Sequence, residues 1–126
     1  MSDPVLLITG ASSGIGAAAA RLAARAGYRV ALAARSEHKL AKLVGELGGP
    51  ERALAVRCDV KEYAEQQAMV QRVLEHFGQL DAVYANAGIP GSEGGFSGAD
   101  PDVWREMLLT NVYGVGLTLR DRKSVV

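Results

Sequence analysis

Three glycines punctuate the stretch Thr9-Gly10-Ala11-Ser12-Ser13-Gly14-Ile15-Gly16. This spacing lets the backbone turn tightly and come close to a bulky anion, while the unpaired amides and positive dipole end of a following helix attract phosphate oxygens. A pyrophosphate is the ligand that suits such a cradle. The pattern is Gly-x-x-x-Gly-x-Gly, distinct from the usual Gly-x-Gly-x-x-Gly dinucleotide fingerprint, and it lacks the Lys-Ser/Thr ending of a nucleoside-triphosphatase loop. Glycines would also serve a turn that merely packs a helix on a strand, so the flanking strand and helix are the confirming context. Gly16 opens that helix, and a β-carbon there is expected to obstruct the ligand more than the fold.

Arg35 is the next candidate. In dinucleotide folds a carboxylate at the tip of the second strand takes the ribose 2′-hydroxyl, whereas an arginine there accommodates a 2′-phosphate. The tip reads Ala34-Arg35-Ser36, without a carboxylate. That favours NADP over NAD, with NAD left open; a solvated arginine between strand and helix is the plain alternative. Asp59 suits either an adenine amino group or the turn in which it sits. Asn86-Ala87-Gly88 is by itself a weak turn signal, at an edge where open α/β sheets bind ligands.

These residues need strands that end beside them and helices that begin there, and the hydrophobic period supplies both. Val5 to Thr9 is a short apolar run, followed by Gly14 to Ala26 with Ile15, Ala18, Ala19, Leu22 and Ala26 at helical spacing. Gly27 stops that helix. Val30 to Ala34 reads as a second strand, and Glu37 to Leu47 as a helix facing inward through Leu40, Leu43, Val44 and Leu47, broken by Gly48-Gly49-Pro50. Ala53 to Cys58, Glu62 to Phe77 (Val70, Val73, Leu74 and Phe77 on one face) and Leu80 to Ala85 continue the alternation. Uniformly apolar strands joined by helices imply an α/β fold, a Rossmann-like doubly wound parallel sheet with right-handed crossovers, represented by its first four strands and helices. Gly88 to Ala99 reads as a surface loop. Asp100 then caps a helix with Pro101 in its first position, and Val103, Met107, Leu108 and Val112 carry it toward Leu119.

Fourteen basic and fourteen acidic side chains among 126 residues give no electrostatic reason to expect nucleic acid or an anionic membrane as partner. No apolar run approaches the roughly 18 residues of a spanning helix, and Met-Ser-Asp-Pro leads into no signal-type core. A single-domain cytoplasmic protein is expected. Cys58 is the one cysteine, which excludes an internal disulfide, and with only His38 and His76 there is no metal-ligand cluster.

Together these residues resemble the classical short-chain dehydrogenase/reductase family. Its Thr-Gly-x-x-x-Gly-x-Gly motif is matched by Thr9, Gly10, Gly14, Ile15 and Gly16, with Ser12 and Ser13 inside it. Its Asp-Val after the third strand is matched by Asp59 and Val60. Its Asn-Asn-Ala-Gly appears as Ala85-Asn86-Ala87-Gly88, so the first Asn is missing; its helical Asn is matched by Asn111, followed by Val112 and Gly114. The resemblance implies hydride transfer between a nicotinamide cofactor and an alcohol or carbonyl carbon of a small molecule, in a protein that pairs with copies of itself. It implies a catalytic role for Asn111, supporting a water-linked proton path to a Lys.

The family's proton-transferring Tyr with a Lys four residues later has no match: beyond Tyr28, Tyr63, Tyr84 and Tyr113 stand Leu32, Gln67, Gly88 and Leu117. The chain therefore reads as the cofactor-binding N-terminal part of such an enzyme, inactive as it stands, with a non-catalytic dinucleotide-binding module as the alternative. Residues 1–119 are expected to form the dinucleotide-binding domain and 120–126 a non-native tail. Asp121-Arg122-Lys123-Ser124-Val125-Val126 shifts abruptly from apolar to charged, and GAT CGG AAG AGC GTC GTG, which encodes it, resembles a sequencing adapter.

Overall fold

The computed structural model describes residues 3–90, 98 and 100–122. Its elements are β1 (Val5–Thr9), α1 (Gly14–Arg25), β2 (Arg29–Ala34), α2 (Glu37–Glu46), β3 (Ala53–Arg57), α3 (Tyr63–Phe77), β4 (Ala82–Tyr84), α4 (Pro101–Leu108), a π-helical turn (Leu109–Gly114) and α5 (Val115–Arg122). The strands lie in the order β3-β2-β1-β4, every neighbouring pair parallel.

Alternation along each strand divides the core into two layers. Val5 and Leu7 of β1 and Ala31 and Ala33 of β2 point to one face and meet Met69, Val73 and Phe77 of α3. Ile8, Val30 and Leu32 point to the other and meet Ala17 and Ala20 of α1 and Leu40 and Leu43 of α2. Both faces are covered, which is why these strands read as unbroken apolar runs. Gly27, at φ 97, ends α1, with its amide bonded to Ala24 O and the Tyr28 amide to Ala23 O. From β1 the chain adds β2 and β3 on one side and β4 on the other, so the strand order reverses between β1 and β4. Open α/β sheets form their ligand crevice at that reversal, outside the C-terminal strand ends.

Two expectations about packing are corrected. Of Ile15, Ala18, Ala19, Leu22 and Ala26 only Ala19 packs against the core: Ile15 is 72% and Leu22 63% exposed, Ala18 and Ala26 are exposed too, and the buried residues are Gly16, Ala17 and Ala20. The smallest side chains face the sheet because Gly16 must lie against the Gly10 carbonyl, and this sets the rotation of the whole helix. The second correction concerns the helix after Asp100, which contains the wide turn Leu109–Gly114 and continues past Leu119 to Arg122. The wide turn re-phases the helix. Thr110, Gly114, Leu117 and Thr118 then face inward, while Leu108 and Val112 are exposed. Arg120 places its guanidinium 5.5 Å from the centre of the Tyr63 ring. Most of the loop expected over Gly88 to Ala99, and the last four residues of the chain, lie outside the described residues.

Candidate functional site

The three glycines of the first turn have different surroundings. Gly10 has φ 66, and a β-carbon on it would lie 2.8 Å from Ala87 Cα, so the turns after β1 and β4 touch only because no side chain intervenes. Gly14 has φ 57 and faces open space. Gly16 is the most confined: its β-carbon would lie 2.1 Å from Gly10 O and 2.8 Å from Asn86 Nδ2. The expectation that a side chain at Gly16 would obstruct a ligand rather than the fold is thereby reversed, because its first obstacle is the protein's own cradle.

Ser13 holds the extended position before α1 without capping it by its side chain, and Ala17 N to Ser13 O, at 3.3 Å, is the first backbone bond of the helix. The amides of Ile15 and Gly16 thus have no acceptor among the described residues, leaving donors at the positive end of a helix dipole. Thr9 is buried, and its Oγ1 accepts hydrogen bonds from the amides of Asn86 and Ala87, each at 3.1 Å. Asn86 Nδ2 in turn donates to Gly10 O at 3.3 Å. Thr9 and Asn86 staple the ends of β1 and β4 together.

Above these strand ends lies a groove of about 470 Å³. Of the residues expected at the site, it brings together Gly10, Ser12, Ser13, Ile15, Arg35, Val60, Asn86, Ala87 and Gly88. Thr9, Gly14, Gly16, Asp59 and Asn111 lie outside its lining. Arg35 is exposed and makes no ion pair among the described residues.

Asp59 is engaged by its own turn: Oδ1 accepts from the Lys61 amide at 3.2 Å and Oδ2 from Lys61 Nζ at 2.6 Å. Burial pulls its carboxyl upward, but the Lys61 hydrogen bonds and charge, helped by Arg35, outweigh this and hold it below the ordinary value. Lys61 also lies 3.4 Å from Glu106 of α4, and its ammonium is held above the usual lysine value, chiefly by the Asp59 hydrogen bond. Asn111 acts at one remove from the groove. Its Oδ1 accepts from Ile89 N and its Nδ2 donates to Ile89 O, both at 2.8 Å, so the carboxamide holds the segment that follows Gly88.

Sequence reasoning missed Ser36, Lys39, Cys58, Ile89 and Thr110, all of which line the groove. Lys39 had a usable signal, a cation in the first turn of the helix that begins just after Arg35. Cys58 sits 2% exposed at the end of β3, its thiol pushed up to about 12 by burial and then by Glu65 and Asp59, which makes it a poor nucleophile. Among the described residues no cluster of metal-ligating side chains occurs, and no helix is long and apolar enough to cross a membrane.

Residues 4–121 match the family model described as short chain dehydrogenase. A protein of Streptomyces violaceoruber named for ketoacyl reduction in the granaticin polyketide synthase is 43% identical, over 91% of this chain and 46% of its own length. The 3-ketoacyl-(acyl-carrier-protein) reductase of Brucella melitensis, solved with NADH, superposes with a TM-score of 0.90 at 33% identity, covering 95% of this chain and 48% of that one. An actinorhodin polyketide ketoreductase solved with NADPH gives 0.87 at 35%, covering 95% and 47%. The chain spans about half the length of the relatives it matches.

Proposed function

Because this chain belongs to the short-chain dehydrogenase family, we propose that it forms the cofactor-binding half of an NAD(P)-dependent oxidoreductase interconverting a small-molecule alcohol and its carbonyl compound. The observation that carries this reading is the cradle at the β1–β4 reversal: free amides at the start of α1 beside a left-handed Gly14, with a groove running from Ser12 and Ser13 to Arg35. The amides of Ile15 and Gly16 and the two serine hydroxyls hold the pyrophosphate, Arg35 the 2′-phosphate, and Val60 and the turn Asn86-Ala87-Gly88 form the walls. The bound nicotinamide supplies or accepts the hydride. Asn111 keeps the wall beyond Gly88 in place and, as its family counterpart implies, supports the proton path.

NADP is the preferred cofactor in this reading, since Arg35 replaces the carboxylate that a ribose hydroxyl would want. A charge-assisted hydrogen bond contributes about 1.5–3 kcal/mol, or roughly tenfold to a hundredfold in affinity. Titration of the protein with NADPH and NADH should show that margin, and Arg35→Ala should remove it. Equal affinities in the parent would overturn the preference, and binding of neither would overturn the cofactor assignment.

A further inference from the structure

We infer that Gln66 is a positioning residue for this groove, clamping the wall at Val60 from inside the fold to the π-helical turn that carries Thr110 and Asn111. Gln66 lies in the second turn of α3 and is fully buried. A carboxamide in that setting is costly unless its donors and acceptor are satisfied, and here they are. Nε2 donates to Val60 O at 2.9 Å and to Gly114 O at 2.7 Å, and Oε1 accepts from Thr118 Oγ1 at 2.8 Å. The Thr118 hydroxyl also lies 3.0 Å from Gly114 O, but it has one proton; giving that proton to Gln66 leaves Gly114 O to the amide.

An apolar side chain of the same size would fill this space without joining anything. The carboxamide joins three segments that are distant in sequence: the turn after β3, α3 itself, and the end of the π-helical turn. Val60 and Gly114 are already in close contact, since a β-carbon on Gly114 would lie 2.8 Å from Val60 Cγ2 and 2.9 Å from Val60 O. Their carbonyl oxygens converge on one amide group, and without it Val60 O loses its side-chain donor while Gly114 O is left to the Thr118 hydroxyl. From Gly114 the same wide turn leads back to Asn111, which holds both polar atoms of the Ile89 peptide. Val60, Thr110 and Ile89 all line the groove. The path Val60–Gln66–Gly114–Asn111–Ile89 therefore ties two lining segments of the groove together through the interior. Its effect on ligands rests on the dinucleotide reading, whereas its effect on the peptide at Ile89 does not.

The test compares parent, Gln66→Met and Thr118→Val in the full-length protein by amide hydrogen exchange and by titration with NADPH and with adenosine 2′,5′-bisphosphate, which probes the adenosine end alone. Gln66→Met keeps volume and helix propensity while removing both donors. Exchange at the Ile89 amide and across Thr110–Gly114 should rise about tenfold, NADPH affinity should fall about tenfold, and affinity for the bisphosphate should stay within about twofold. Thr118→Val, which frees the carboxamide to turn, should move exchange at Ile89 in the same direction by about threefold and covers the case in which Gln66→Met does not fold. Parent-like exchange at Ile89 in a folded variant would overturn the clamp. So would a uniform rise over all helices with equal loss of both ligands, which is what a mere core residue would give. If the parent binds neither ligand, the dinucleotide reading falls, while the exchange result still decides the role of Gln66.

Discussion

Glycines that look alike in the motif have different physical tasks, and the difference sets what their substitution costs. Gly16→Ala introduces a β-carbon 2.1 Å from the Gly10 carbonyl, so the cradle must move. A loss of about 1–3 kcal/mol in urea-unfolding free energy is expected, comparable to overpacking a core. Gly14→Ala meets nothing but must hold φ 57, and about 1–2 kcal/mol of backbone strain is expected instead. The motif announced a phosphate cradle; it did not announce which glycine faces the protein, because that depends on Asn86 and Gly10 meeting across strands β1 and β4. The same holds for Asp59. Its two sequence readings were equally open, and the turn reading is the one whose bonds are seen, through Lys61 two residues on.

At the level of elements, period and capping residues carried most of the information. Asp100 does cap α4, accepting the Asp102 amide at 2.9 Å with Pro101 in the first turn. Asp100→Ala should cost about 1 kcal/mol of unfolding free energy. The π-helical turn was illegible in the pattern, since an inserted residue changes the phase of everything after it while every side chain still suits a helix. Its cause is tertiary: Gly114 against Val60, and Gln66 reaching both carbonyls. A β-carbon at Gly114 should therefore be felt at the groove as well as in the core. Gly114→Ala is expected to cost about 1–3 kcal/mol and to speed exchange at Ile89, whereas Gly116→Ala, with open space around it, should be neutral or stabilising by urea unfolding.

At the scale of the molecule, the parallel sheet and its two covered faces were legible, because strands buried on both sides leave an apolar run, whereas the strand order that creates the β1–β4 reversal was not. Its response to pH follows from the Asp59–Lys61 pair. Asp59 is held below the ordinary carboxylate value, so its contribution is complete above a pH of about 4 and is lost as pH falls through the lowered value. Lys61 is held above its ordinary value, so its share is complete below a pH of about 10 and is lost as pH rises through the raised one. Urea midpoints measured between these limits should be flat as far as this pair is concerned, and Asp59→Asn should reduce the acid-side fall. Cys58 leads elsewhere. As the sequence's single thiol, it lines the groove while almost sealed from solvent, and burial pushes its pKa up to about 12, so the thiol form dominates at neutral pH. Alkylating reagents must then wait for the strand ends to part, so the rate of covalent capture at one sulfur works as a stopwatch for breathing of the sheet, readable by mass and slowed by whatever occupies the groove.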